Sequence, residues 1–230
     1  MKIGNIEVSE EQYALLEKDL NLVFEANKIH NLTRIDSFED GMLLHIEDSL
    51  SGLPEFKKAP EGLYADIGTG GGFPGIPLAI MSDRETLLVD SVQKKVRVIE
   101  DIASTLGLSD RVSTYAGRIE DLSKERKKEF SVITARALSS FPSLLELVSP
   151  LLKNGGEFIC YKAHVSDEDL VQIKELEDIF GLQLVSKRDF LLSDNETQRC
   201  ILVFKKKHSA KIKLPRRVGL AQKKPILTSN

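Results

Sequence analysis

The sequence predicts an α/β fold: a doubly wound, seven-stranded, mostly parallel sheet with helices on both faces and a helical lead-in at the N-terminus. Three observations predict it. From Leu63 onward, short apolar runs alternate with segments of helical apolar spacing, the pattern of a parallel sheet with right-handed crossovers. The first of these strands runs straight into a glycine-rich turn that opens a helix, as in Rossmann-like sheets. The last two strand-like runs have no helix between them, so one of them must run antiparallel.

Each element follows from its local pattern. Ser9 is placed to cap a helix over residues 10–27, where Tyr13, Leu16, Leu20, Val23 and Phe24 share one face. A second helix, about 37–49, carries Phe38, Met42, Leu43 and Ile46. Residues 51–62 hold two prolines and two glycines and predict a linker. Strands follow at 63–67, 86–89, 112–115, 131–134 and 157–161. Between them stand helices at 74–81, at 95–106 (Val96, Ile99, Ile102, Ala103, Leu106) and at about 142–152, the last stopping before Asn154-Gly155-Gly156. A periodic helix over 167–180 is closed by Gly181. Strands 183–191 and 198–204 flank a turn at Ser193-Asp194-Asn195. The expected division is a helical extension over 1–60, the sheet domain over 61–207 and a basic tail over 208–230.

Composition narrows the class. With 230 residues, 41% hydrophobic and 29% charged, the chain has ample apolar material for a core. No apolar run reaches the roughly 18 residues of a membrane span, and the N-terminus lacks a signal-peptide layout. Cys160 and Cys200 fit neither a zinc spacing nor a disulfide framework, so the expectation is a cytoplasmic protein without metal. The net charge of −3 conceals an asymmetry. Nine of the 32 Lys and Arg lie from Lys205 onward with no acid among them, leaving 23 basic against 35 acidic residues in the body. A basic end on an acidic body suits a polyanionic partner, or is simply a solvated tail.

The stretch Asp66-Ile67-Gly68-Thr69-Gly70-Gly71-Gly72-Phe73-Pro74-Gly75 carries the chemistry. Its glycines allow a ligand to lie against the main chain, and Asp90, about 20 residues on, ends the second strand where a carboxylate can hold both ribose hydroxyls. Gly70, Gly72 and Gly75 formally satisfy G-x-G-x-x-G, so a nicotinamide cofactor competes with S-adenosylmethionine. Three features favour S-adenosylmethionine. Asp66 stands where it would hold an ammonium and repel a pyrophosphate. The strand leads into Gly68-Thr69-Gly70 as the tight turn, out of dinucleotide register. The closing helix-free strands suit a methyltransferase sheet.

At this point the chain resembles a known family. The run Asp66–Ile80, with its Gly-Phe-Pro-Gly-Ile-Pro core, is similar to the signature of the glucose-inhibited division protein B family, the bacterial small-subunit (16S) ribosomal RNA guanine-N7 methyltransferases. Further segments match in order: Asn31-Leu32-Thr33, His45-x-x-Asp48-Ser49-Leu50, Asp90-Ser91, Arg118-Ile119-Glu120, Ala135-Arg136-Ala137, Pro215-Arg216-Arg217-x-Gly219 and Lys223-Lys224-Pro225. Two positions depart: Ala163 follows Lys162 where the family usually has glycine, and Lys94-Lys95 stands where it usually has Lys-Arg. The resemblance implies a class I methyltransferase sheet and donor contacts from Gly68, Phe73, Ile119, Glu120 and Arg136. To these the local reading adds Asp66, Gly70, Asp90 and Ser91. It also implies 16S ribosomal RNA or the small subunit as partner.

Guanine N7 has an in-plane lone pair and no proton, so the resemblance implies a site without a general base, in which alignment supplies the rate. Arg118, Arg136, Lys162 and Arg199 fall near strand ends and are candidates for RNA phosphates or guanine O6, as are Arg216 and Arg217 in the tail. Each of them has a plainer role as a solvated or ion-paired side chain. His45 and Asp48, three apart on a helix, are placed to hydrogen-bond, and His45 is expected to be structural or to touch RNA. Asn31 is expected to cap a helix or tie the lead-in to the pocket. The competing readings are a methyltransferase for another RNA or a small molecule, an NAD-dependent oxidoreductase, and a non-catalytic RNA-binding module.

Overall fold

The computed structural model describes residues 1–227, so the last three residues of the expected tail lie outside the described residues. Seven strands form one sheet: β3 (Tyr64–Ile67), β4 (Thr86–Asp90), β5 (Val112–Ala116), β6 (Phe130–Arg136), β7 (Leu152–Lys162), β8 (Leu182–Leu191) and β9 (Gln198–Lys206). Their spatial order is β5-β4-β3-β6-β7-β9-β8. Pairings from β5 through β7 are parallel, and β9 is antiparallel to both of its neighbours, as the missing crossover helix requires. The order reverses between β3 and β6, and there the carboxyl ends of the strands open a crevice.

The first sixty residues contribute a face of the core. Helix α1 (Glu10–His30) starts with a full capping box, Ser9 with Gln12, and ends on Asn31 in the left-handed conformation. Its Leu16, Leu20 and Val23 are fully buried and cluster with Ile76, Ile99, Val132 and Ile159 under one face of the sheet. Each such side chain is worth about 1.5–3 kcal/mol of transfer free energy. The second helix runs without a break through α2 (Phe38–Gly41), a π-helical stretch (Met42–Glu47) and α3 (Asp48–Leu50). On the same face lie α5 (Gly75–Ile80) and α6 (Gln93–Thr105). The other face is covered by α7 (Ile119–Glu125), α8 (Phe141–Val148) and α9 (Asp167–Phe180).

Three local expectations need correction, and one element is additional. The linker over 51–62 contains a helix, α4 (Leu53–Lys58), which buries Leu53 and Phe56 and accepts Pro54 in its first turn. The helix expected over about 142–152 stops at Val148, and Asn154-Gly155-Gly156 does not precede the next strand but lies within β7, which has a register shift opposite Phe130 and Val132. An N-terminal hairpin, β1 (Lys2–Ile3) with β2 (Ile6–Glu7), turns on Gly4. Lys206 belongs to β9, where it is 2% exposed and donates to Ser149 Oγ and the Phe180 carbonyl. Burial, reinforced by Lys128, lowers its pKa to about 8. Among the described residues no helix is long and apolar enough to cross a membrane, and no group of three His, Cys, Asp or Glu could hold a metal ion.

Gly75 sits where the glycine loop meets the core. A Cβ there would lie 2.3 Å from Leu88 Cδ2 and 2.9 Å from Asp66 Oδ2. Gly75→Ala is therefore expected to destabilise the fold by about 1–3 kcal/mol in urea denaturation. An unchanged midpoint would contradict the packing described.

Candidate active site

Strand β3 delivers Asp66 and then the loop Gly68–Pro74 to the crevice. Gly68, Gly70 and Gly72 take φ of +70°, +59° and +95°, a region that side chains with a Cβ rarely adopt. The amides of Gly68 and Thr69 both donate to the Val89 carbonyl, at 2.8 and 3.0 Å, which ties the loop to β4. Beside Gly70 nothing but the Gly68 carbonyl, 3.9 Å away, approaches the position of a Cβ, so this stretch of main chain has an open flank.

Two carboxylates hold the loop. Asp66 is completely buried; its Oδ2 accepts from the Gly75 amide at 3.0 Å and its Oδ1 from Thr134 Oγ1 at 2.6 Å. Tyr64 Oη lies 2.7 Å from the same Thr134 oxygen, so a buried polar chain links β3, β6 and the start of α5. Asp66 was expected to hold a ligand ammonium directly or through water; in the fold both of its oxygens face inward and brace the loop. Burial outweighs these hydrogen bonds and raises the Asp66 pKa to about 6. Asp90, half-buried at the end of β4, accepts from Gly70 N at 3.1 Å and Val92 N at 2.9 Å, with lone pairs left for a sugar.

The crevice beside Asp90 is lined by Gly68, Ser91, Arg118, Ile119, Glu120 and Leu138, among others. Ser91 and Arg118 are exposed there, and Ile119 offers an apolar side chain. Glu120 is 7% exposed, and its Oε1 accepts from the Gly219 amide at 2.7 Å. These residues fit S-adenosylmethionine: an open glycine flank, a carboxylate at the sugar position and an apolar platform for adenine.

A second cleft of about 500 Å³ opens across the loop, lined by Leu44, His45, Asp48, Arg136, Tyr161, Lys162 and Arg199 and their neighbours. Asp48, 4% exposed, accepts from Arg136 Nη1 and from Arg199 Nε, both at 3.0 Å. Arg136 Nη1 also reaches the Leu44 carbonyl in the π-helical stretch, at 3.0 Å. Lys162 donates to the Ser139 carbonyl and lies 4.7 Å over the Phe141 ring. Three cations thus face one acid in this cleft. His45 does not pair with Asp48 as its spacing suggested. It stacks flat on Phe73, with ring centroids 4.4 Å apart, and contacts Arg136 Nη2 at 3.4 Å and Thr33 Oγ1 at 2.8 Å. A guanidinium only donates, so Nδ1 accepts and Nε2 carries the hydrogen toward Thr33. Burial first, and Arg136 second, lower the His45 pKa to about 3.

Residues 12–196 match the family model described as rRNA small subunit methyltransferase G. The chain belongs to this family. The ribosomal RNA small subunit methyltransferase G of Geobacillus sp. (strain WCH70) is 35% identical over 224 residues, covering 96% of this chain and 94% of that protein. Among solved structures, an O-methyltransferase from Bacillus cereus in complex with SAH superposes with a TM-score of 0.57 at 20% identity, over 81% of this chain and 90% of that one. The [4+2]-cyclase SpnF superposes at 0.58 and 15% identity, over 88% and 98%. Such distant likenesses establish the fold alone. Family membership sets the oxidoreductase reading aside.

The structure gathers Gly68, Asp90, Ser91, Arg118, Ile119 and Glu120 at the crevice, with Gly70 bonded to Asp90 beside it, and Arg136, Lys162 and Arg199 in the adjoining cleft, where Phe73 stacks on His45. Asn31 is an exposed helix end. Arg217 is exposed, but Arg216, expected to contact RNA, turns inward as a fork onto Glu146. Sequence reasoning missed Asp48 as the anchor of both arginines and Thr134 as the brace of Asp66. A groove of similar size at the opposite end of the sheet contains Arg84, whose guanidinium already donates to the Pro60 and Ala59 carbonyls.

Asp66 binds its proton more tightly in the fold, at about 6, than in an unfolded chain, at about 3.9. Its contribution to stability is therefore fully present below about pH 4 and is lost as pH rises through about 6, on the order of 3 kcal/mol. Buried Asp19, whose pKa burial also raises, tilts the profile in the same sense. The difference between wild type and Asp66→Asn isolates the loop brace: the variant should show a flatter stability profile between pH 4 and 6. Parallel profiles would show that Asp66 does not titrate there.

Proposed function

We propose that this chain transfers a methyl group from S-adenosylmethionine to N7 of a guanine in 16S ribosomal RNA. One observation carries the reading: a crevice lined by Gly68, Asp90 and Ile119 adjoins a cleft in which Arg136, Arg199 and Lys162 outnumber Asp48. When bound, S-adenosylmethionine supplies a methyl carbon that N7 attacks with its lone pair as the carbon–sulfur bond breaks toward sulfur, leaving a neutral thioether and a cationic guanine.

The chain's own residues align and orient. Asp90 holds the donor sugar, Ile119 packs on its base and the glycine flank lets it lie on the main chain. Arg136, fixed by Asp48 and the Leu44 carbonyl, presents remaining N–H groups to O6 or a phosphate, and Arg199 does the same from β9. N7 carries no proton to remove, and a His45 pKa of about 3 makes that side chain a poor base at neutral pH, which supports the reading. Exposed Arg217, Lys223 and Lys224 add a backbone anchor whose affinity falls with salt.

The test is methyl transfer from labelled S-adenosylmethionine to 16S RNA and to small subunits from cells lacking this gene, with the product mapped by cleavage at N7-methylguanine. One N7-methylguanine is expected, and Arg136→Ala should lower kcat about 100-fold at saturating RNA. Methylation of an exocyclic amine or a carbon would contradict the N7 assignment, and an unaltered Arg136→Ala enzyme would remove that arginine from the site.

A further inference from the structure

Beyond β9 the chain folds back over the helices that border the donor crevice, and its contacts there are specific. Arg216 forks onto Glu146 of α8, at 2.7 Å from Nε and 2.5 Å from Nη2, and Glu146 is only 3% exposed. The same Nη2 donates to the Lys224 carbonyl at 2.9 Å, so one guanidinium fastens both ends of the segment 216–224. Between them, Gly219, at φ +81°, gives its amide to Glu120. Ser143 Oγ of α8 donates to the carbonyl of Ala221 at 2.6 Å, and Ala221 itself is 1% exposed. This anchoring sets α10 (Leu220–Lys223) at the crevice, and Gln222 joins Asp90, Ile119 and Gly68 in its lining.

The chemistry of that position is particular. An adenine edge offers an amino donor beside a ring-nitrogen acceptor, and a carboxamide presents the complementary acceptor and donor in one plane. Glu120 has already given one oxygen to Gly219, whereas Gln222 is exposed with its amide in no hydrogen bond within the chain among the described residues. A tail that served only as an RNA anchor would have no use for a buried ion pair under its inner side and an uncharged amide at the crevice.

We infer that Gln222 reads the adenine edge of S-adenosylmethionine, and that Arg216, through its fork to Glu146, is the positioning residue that holds Gln222 there. The inference rests on the crevice being the donor site. It makes the C-terminal segment a wall of the donor pocket as well as an RNA-facing surface.

Titration calorimetry on the full chain separates the possibilities, with S-adenosylhomocysteine and its 6-deamino analogue, which keeps the ring nitrogen but has no amino group to pair with the Gln222 amide, as probes. Wild type should prefer the adenine compound. Gln222→Ala, a change at an exposed side chain, should weaken S-adenosylhomocysteine about tenfold and erase most of the preference. Arg216→Ala should do the same while Arg216→Lys recovers part of it, and melting curves without ligand separate this from general loss of structure. Wild-type affinity and preference in Gln222→Ala would overturn the inference, as would a preference retained in a folded Arg216→Ala. Failure of wild type itself to bind S-adenosylhomocysteine would instead overturn the donor site.

Discussion

A single buried carboxylate organises the catalytic end of this molecule. Asp66 has no access to water, and its two oxygens are taken by the Gly75 amide and the Thr134 hydroxyl. A loop with three glycines at positive φ has little intrinsic preference for one shape. Pinning its far end to β3 and β6, while Val89 and Asp90 pin its near end, turns it into a fixed surface. The ligand then binds a preformed main chain and does not have to order it, which matters because ordering backbone costs about 1–2 kcal/mol per residue.

From that surface the two halves of the site diverge in character. The crevice beside Asp90 mixes small and apolar residues with Arg118 and Glu120, while the adjoining cleft is cationic and is held in shape by Asp48. Removing Asp48 would leave two partly buried guanidiniums facing each other, so this acid governs the geometry of the cleft without touching the chemistry. Phe73 and His45, stacked face to face, form the partition, and a histidine kept neutral by burial suits a wall better than a proton carrier.

The sheet and glycine loop were legible because strand–helix alternation and φ-demanding glycines are local properties. What escaped was non-local or short. α7 has only seven residues and no side-chain cap hydrogen bond, too little local pattern to predict a helix from. α4 was hidden by prolines, one of which suits a first turn. Arg216 looked like an RNA contact because its partner, Glu146, lies seventy residues earlier. The His45–Asp48 spacing correctly marked one helix face but not what that face meets: Arg136 arrives from β6, 88 residues beyond Asp48. Basic residues near a basic tail all look alike in sequence, and only burial of Lys206 and the pairing of Arg216 with Glu146 separate them from exposed Arg217.

The most direct test of the whole account is a crystal structure with S-adenosylhomocysteine. The account predicts the ribose hydroxyls within hydrogen-bond distance of Asp90, the adenine against Ile119, and the homocysteine over Gly68–Gly70 with the loop unmoved. Ligand density elsewhere, for instance in the groove at Arg84, or a loop detached from Asp66, would contradict it.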